Sequence, residues 1–384
     1  MDDFSDIVIV GGGPVGAALA LALSDSGLAV TLFEAREAAQ RVSDSRPLAL
    51  SYGSRLILER LGVWHALAPA TPIDRIHVSQ RGGFGRVVLS AAESGLPALG
   101  YVADYAQLHA ALEDGLQRRG PRYFAGAKVL AVRDAQGTAT VEFTAGGAPK
   151  TIGCRLVVAA DGGALQGVAA VRTVDYHQVA LTTRVRSELA HHNTAFERFT
   201  GDGPLALLPC GDELAVVWTA RTERAQELYG LAPADFLIRL EHHFGGRLGS
   251  FSGGGARALF PLMLKHATEV LRPRVALIGN AAQTLHPVAG QGFNLGLRDA
   301  WELAGAILEC RQEAIGDAAM LLAYQSRRRL DRRAGIWFTD SLVRLFSNDV
   351  APLAAARGVG LALLGCVPPL KNFVVRRMTF GARG

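Results

Sequence analysis

The 384-residue sequence predicts an α/β protein in which a parallel, helix-covered sheet is interrupted by an antiparallel sheet and followed by an apolar helical tail. Three observations carry this expectation. Apolar runs at residues 6–10, 29–33, 154–160 and 275–278 read as short strands buried on both faces, as parallel strands are. From Tyr176 to Ala220 the texture changes to short alternating strands, as in an antiparallel sheet with one covered face. Residues 351–380 are apolar with a few basic side chains, yet the longest run, 359–370, falls short of a membrane span and holds two prolines.

Composition narrows the function classes. The chain is 49% hydrophobic and 20% charged, with a formal net charge of +5 spread along its length. That balance is too weak to argue for nucleic acid and suits an anionic cofactor or an anionic membrane face. Cys154, Cys210, Cys310 and Cys366 lie far apart without a CxxC pair and are expected to be reduced, mostly buried thiols in a reducing compartment. The acidic start MDDFSD runs straight into a strand, so no signal peptide is expected and a cytoplasmic location is. His191-His192 and His242-His243 have no carboxylate or cysteine at ligand spacing, so they read as surface or packing histidines rather than metal ligands.

In chain order, strand 6–10 feeds Gly11-Gly12-Gly13-Pro14-Val15-Gly16, a G-x-G-x-x-G that opens a helix, and strand 29–33 then ends in Glu34. In such a βαβ unit Gly11 permits the tight turn and Gly13 lets a diphosphate approach. Gly16 lets helix and strand pack, while Glu34 accepts hydrogen bonds from ribose. The unit is Rossmann-like and binds a dinucleotide; alone it does not choose FAD over NAD. Arg46 follows in the loop 41–51, where a guanidinium can meet a phosphate or a flavin edge, or lie in solvent. Residues 54–61 read as a helix, 73–89 as two strands and 101–116 as a helix with Leu108, Ala111, Leu112 and Leu116 inward. Residues 128–132 and 139–143 form a hairpin pattern. Strand 154–160 ends in Asp161-Gly162, the end at which open α/β sheets bind ligands. Strands at 179–185, 192–199, 205–209 and 214–220 and a helix at Pro233–Phe244 complete the antiparallel part. The loop 279–292 then leads into a helix whose free N–H groups suit a ligand carrying negative charge. Beyond it Arg327, Arg328, Arg329, Arg332 and Arg333 crowd two helical turns, as a solvated face or as a contact for phosphate or lipid.

Gly11–Gly16 with Glu34, Asp161-Gly162 and Gly279-Asn280 resemble, in order, the three fingerprints of the flavoprotein aromatic hydroxylases with the p-hydroxybenzoate hydroxylase fold. Residues 44–50, 61–64, 193–199, 203–209 and 286–294 sharpen the resemblance to the ubiquinone-biosynthesis hydroxylases, most of all the 2-polyprenyl-6-methoxyphenol hydroxylase branch. It implies a Rossmann-like FAD-binding domain in three parts (1–72, 99–172 and 269–345), substrate-domain strands at 73–98, an inserted antiparallel-sheet substrate domain at 173–268 and a C-terminal helical tail at 346–384. It implies hydroxylation of a prenylated phenol through a flavin C4a-hydroperoxide, with FAD as cofactor and NAD(P)H as transient co-substrate. Partners implied are a ubiquinone-biosynthesis protein complex and peripheral contact at the inner membrane face. Two other readings stay open: a flavin-binding but non-catalytic member of such an assembly, and a hydroxylase or oxidase of another aromatic substrate.

The same resemblance assigns residues. Gly11, Gly13, Pro14 and Gly16 hold the diphosphate end, with Glu34 and Ala35 at the ribose; Gln107 and Val129 also lie along FAD. Asp161 contacts FAD, Gly279 and Asn280 the ribityl chain, and Gly290, Gln291, Gly292, Phe293 and Asn294 the flavin pyrimidine edge. Arg46 and Pro287 flank the isoalloxazine and His286 is a proton relay or a structural hydrogen bond, so these three are the catalytic candidates. Two departures stand out: Leu165 and Val168 lie where the family has a serine and an arginine, and Tyr105 and Gln107 lie where it has an arginine for the diphosphate.

Overall fold

In the computed structural model the apolar runs assemble as the parallel core of the first of three sheets; the structure describes residues 4–37, 44, 46–67, 69–135, 137–165, 169–286, 290–346 and 351–383. That sheet has the order β18 (Leu271–Arg272), β19 (Val275–Leu277), β11 (Ala148–Ala159), β1 (Phe4–Val10), β2 (Val30–Glu34), β8 (Arg122–Ala125), with β9 (Lys128–Ala135) and β10 (Thr138–Ala145) added antiparallel through β11. Val10 stands opposite Ala159 and Phe33, so Gly11, Ala160 and Glu34 emerge side by side at the carboxyl edge. Helices α1 (Pro14–Ala22), α3 (Tyr105–Arg119) and α6 (Gln291–Leu308) bury Leu19, Leu108 and Leu303 against Ile7, Ile9 and Leu156. On the other face Val8, Phe33 and Val157 pack with Val141 and Phe143, the two phenyl rings 4.4 Å apart.

The second sheet runs β20 (Gln283–Thr284), β17 (Ala258–Ala267), β12 (Val171–Ser187), β15 (Glu213–Arg221), β14 (Gly203–Cys210), β13 (Thr194–Thr200), β5 (Arg75–Gln80), β6 (Arg86–Ser90), with β16 (Phe251–Gly253) on β12. Alternation splits its side chains. Leu181, Leu205, Val216 and Trp218 pack under α5 (Pro233–Phe244), and Thr182, Ala206, Val217 and Thr219 face the other way, toward the first sheet. A small third sheet, β3 (Pro47–Ser51), β7 (Gly100–Asp104) and β4 (Thr71–Ile73), joins the two halves, and α2 (Tyr52–Arg60) leaves it with Ser51 capping the Ser54 N–H. The remaining helices are α4 (Thr222–Gly230), α7 (Ala318–Phe346), α8 (Ala351–Cys366) and α9 (Pro368–Phe380), the last two meeting at 96°. Among the described residues no single helix is long and apolar enough to cross a membrane.

Several local expectations change. Residues 101–104 are strand, not helix: Tyr101 and Val102 pair with both β3 and β4, and this pairing sets the helix start at Tyr105. The four residues expected to face inward from that helix are all buried. Residues 47–51, read as loop, are β3, and the loop 279–292 contains a 3₁₀ turn and β20. Helix α4 and strand β17 carry no clear period in the sequence and were not expected. Cys154 is buried but Cys366 is exposed.

Candidate active site

A cavity of about 1580 Å³ lies between the first two sheets and continues under α7, α8 and α9. The volume exceeds the ~300–1,000 Å³ of a site for one drug-sized ligand. Its first end is the carboxyl edge of the parallel sheet. Gly11 takes φ +107°, and a Cβ there would stand 2.6 Å from the Asp161 Cα, so the turn tolerates no side chain. Gly13 has open space where a Cβ would be, and it precedes α1 without a side-chain cap, leaving backbone donors at the cavity edge. Gly16 does not line the cavity; its missing Cβ makes room for the Gly11 carbonyl, 2.0 Å from where that atom would sit.

Glu34 is buried, and its Oε2 accepts from the Gly12 N–H at 3.0 Å. The Arg36 N–H and guanidinium take the rest of the carboxylate at 2.9–3.1 Å. Burial opposes that charge, and the bonds from Arg36 outweigh it, so the carboxyl is held below its usual range. Arg36 also lines the cavity and reaches His109 Nε2 at 2.8 Å. Sequence reading missed it. An arginine two residues beyond the acidic end of the βαβ unit was the available signal, and it puts a guanidinium beside α3, whose first turn carries Tyr105 and Gln107 in place of one. Arg46 lines the same mouth, 4.8 Å from the Phe260 ring and 5.4 Å from Tyr105, and pairs with Asp44 at 2.6 Å. Pro14, Ala35 and Val129 line the cavity too. Gln107 does not: it is exposed on the solvent side of α3. Asp161 lines the cavity, though its carboxylate accepts from the Gly163 and Leu165 N–H groups of its own turn.

The second end is the loop before α6. Gly279, Asn280, Gly290, Gly292 and Phe293 all line the cavity. Gly290 takes φ +61° at the α6 N-cap, and a Cβ there would stand 2.9 Å from the Ala49 Cβ. Gly292 meets nothing within 4 Å, so the first turn of α6 offers bare backbone to the cavity. The Asn294 side chain is committed within the protein. It is buried, its Oδ1 accepting from the Ser51 N–H at 2.8 Å and the Ser54 hydroxyl at 2.7 Å. Its Nδ2 donates to the Ala49 and Gly290 carbonyls at 2.9 and 2.7 Å. With those bonds the side chain is a brace between β3 and α6. Gln291 lies outside the cavity lining as well. His286 is fully buried, edge-on to Tyr176 at 5.5 Å, and burial pushes it down to about 4. The neutral ring does not line the cavity, which agrees with the structural one of its two expected roles. Pro287 and Val168 lie outside the described residues, whereas Leu165 lines the cavity.

The arginine cluster of α7 is neither a solvated face nor a lipid contact at its centre. Arg328 is buried and donates through Nε to Asp299 at 2.7 Å, with a second bond to Asp331. Asp299 in turn accepts from the Gly279 N–H at 3.2 Å and from Gln283 at 2.6 Å. Burial works against the Arg328 charge, and Asp299 and Asp331 outweigh it, raising its pKa. Arg298 joins through Asp331 at 3.0 Å, and Arg327 leaves the helix face for Glu309. The network thus fixes the loop that opens onto the cavity.

The wall opposite both ends is the second sheet. One cross-strand row brings Val78, Glu197, Ala206, Val217 and Thr182 to the cavity. Glu197 is the only carboxylate in that row, and burial pushes it up to about 7. Further along, Phe338, Leu342, Leu361, Leu364, Val374 and Met378 make an apolar end beneath the terminal helices.

The family model described as "FAD binding domain" matches residues 5–336, and the chain belongs to that family. FAD is its cofactor, in agreement with the open backbone at Gly13 and the buried carboxylate of Glu34 on the same cavity edge. The chain is 34% identical to a ubiquinone hydroxylase of Rhodospirillum rubrum, over 98% of this chain and 89% of that protein. It is 35% identical to 3-demethoxyubiquinol 3-hydroxylase of Escherichia coli, over 93% and 94% respectively. Among solved structures, p-nitrophenol 4-monooxygenase of Pseudomonas putida is similar at a TM-score of 0.77 and 19% identity, with both chains fully covered. The fold is therefore that of these flavoproteins.

Proposed function

We propose that the protein is an FAD-dependent monooxygenase that hydroxylates the ring of a prenylated phenol or quinol in ubiquinone biosynthesis, with NAD(P)H as a transient electron donor. The observation that carries this reading is one continuous cavity, lined by the glycine turn and Glu34 at one end and mostly by apolar side chains at the other. The names of the full-length relatives support it.

Bound FAD, reduced by NAD(P)H, would activate dioxygen, one atom of which reaches the ring while the other leaves as water. The protein supplies the rest. Gly11 and Gly13, with the α1 start, receive the diphosphate. Ribose hydroxyls replace the Arg36 guanidinium on Glu34, whose acceptor positions it fills in this structure. Asn280 would hold the ribityl chain, and the α6 start at Gly290–Phe293 would hold the flavin edge, where the helix dipole is worth ~0.3–2 kcal/mol toward negative charge. Arg46 flanks the ring system. Glu197, set in an apolar row, takes the phenol proton as the ring becomes nucleophilic. The sheet face and α7–α9 keep water out, which protects the oxygen transfer from wasteful decay, and they hold the tail. The exposed apolar side chains of α8 and α9 make peripheral contact with the membrane in which such a tail resides.

The test is turnover of a short-chain prenylphenol under isotopically labelled dioxygen with NADH or NADPH. One labelled oxygen on the ring is expected; NAD(P)H oxidation that yields only hydrogen peroxide with every phenol tried sinks the reading.

A further inference from the structure

A second cleft lies on the opposite face of the second sheet. Strand alternation that turns Ile76, Val78 and Val87 toward the cavity turns His77 and Ser79 of β5, Arg86 and Val88 of β6 and Arg198 of β13 away from it. With Arg247 these residues line a space of about 710 Å³, closed on one side by Gly365, Cys366 and Lys371 of the terminal helices.

Its charge is unanswered. Lys371 pairs with Glu93, whereas Arg86, Arg198 and Arg247 have no carboxylate partner among the described residues. Polar atoms are stranded there too: the Arg198 Nε, the His77 Nε2 and the Gln80 Oε1 are buried without a hydrogen-bond partner. His77 is only 6% exposed, and burial together with Arg247, Arg86 and Arg198 pushes it down to about 4. Guanidiniums around a buried, unsatisfied donor suit an oxyanion that accepts several bonds at once, and phosphate does so with forked geometry.

The surroundings select the source of that phosphate. Past Cys366 the chain turns through an exposed apolar tip in which Val367, Leu370 and Phe373 are 40%, 46% and 56% exposed. From residue 351 to the end the sequence has no Asp or Glu, but it has Arg357, Lys371, Arg376, Arg377 and Arg383. The cleft and the tip share Gly365 and Cys366 at their boundary, so a group with a phosphate and an adjoining acyl chain meets both.

We propose that this cleft binds the phosphate of an anionic phospholipid headgroup while the 367–373 tip enters the acyl layer. The proposal rests on the peripheral membrane contact inferred above and not on the hydroxylation chemistry. It gives that contact a defined, headgroup-reading site.

The test uses the flavin-loaded protein, sedimented with phosphatidylcholine vesicles with and without phosphatidylglycerol, and its melting temperature with and without inorganic phosphate. The wild type is expected to prefer the anionic vesicles and to be stabilised by phosphate. Arg86 and Arg247 are exposed, so the double variant R86Q/R247Q is expected to fold, retain FAD and lose both effects. At about fivefold per cation removed near a charged surface, the loss is on the order of thirtyfold in vesicle affinity. Stabilisation by phosphate without any vesicle preference leaves a free-phosphate site and overturns the lipid assignment. A preference for anionic vesicles kept in R86Q/R247Q but lost in R376Q/R377Q overturns the cleft and retains the membrane contact. Failure of every form to bind vesicles overturns the membrane contact itself.

Discussion

At the scale of single residues, Glu197 shows how a side chain acquires a role from its surroundings. A glutamate on a strand is ordinarily solvated. Here neighbours on both sides in the row, Val78 and Ala206, are apolar, and burial pushes the carboxyl up to about 7. As pH rises through that value it loses its proton and gains the capacity to accept one, so turnover should rise with it. The variant E197Q should keep its FAD, lose that limb of the pH profile and fall about a hundredfold or more in kcat. An unchanged profile would exclude Glu197 as the base. The contrast with Glu34 explains what the sequence made legible. The place of Glu34 was readable because it depends on residues 11–16, within one βαβ unit. Glu197 and Arg36 were not, because their roles depend on which sheet face, or which neighbouring helix, the finished fold sets against them. The bracing role of the Asn294 side chain was hidden for the same reason: its partners Ala49, Ser51 and Ser54 belong to a strand and a helix start far back in the chain.

At the scale of elements, the junction of α6 and α7 decides whether the loop at Gly279 is held open to the cavity. Asp299 on α6 is the centre of that junction, bound at once to Arg328 on α7, to Gln283 and to the Gly279 N–H. Removing it leaves a buried guanidinium with half its compensation. The variant D299A should lose ~3–5 kcal/mol of stability in chemical denaturation, with flavin released early in the transition. A loss below 1 kcal/mol would mean that Asp331 alone satisfies Arg328. The arginine crowding on α7 was visible in the sequence, but which arginine turned inward was not, because the helical period there is ambiguous between charged and apolar faces. Strand β7 was hidden for a related reason: its residues continue smoothly into the α3 pattern, and only pairing with β3 and β4 marks the boundary. Elements whose pattern was complete in themselves, such as α5, were readable to the residue.

At the scale of the whole molecule, four buried histidines link stability to pH; His109 is lowered by burial, and the other three are shifted furthest. His77, His243 and His286 are each pushed by burial from an ordinary value near 6.5 down to about 4. His243 is further committed to the neutral form because its Nδ1 meets the Arg81 guanidinium at 2.9 Å. Between those values the unfolded chain binds protons that the folded chain refuses, so stability is complete above about pH 6.5 and falls as pH drops toward 4. Each of those three contributes on the order of 3 kcal/mol to that fall. Unfolding by denaturant at pH 7 and pH 5 should show it, and H286Q should remove one share; equal stability at both pH values would contradict the burial of all three. The phosphate-reading cleft adds a second condition at this scale, since ligand there stabilises the same fold.

The brace at Asn294 also has a consequence for how the protein is made. Its bond to the Ser51 N–H spans 243 residues. At a synthesis rate of about 5–20 residues per second, roughly 12–50 seconds separate the two halves of that clasp on the ribosome. Through this interval the nascent chain already carries its complete glycine turn and Glu34, but the wall that faces the flavin ring does not yet exist. Acquisition of the cofactor in its working position is therefore expected as a late event, after synthesis of nearly the whole chain.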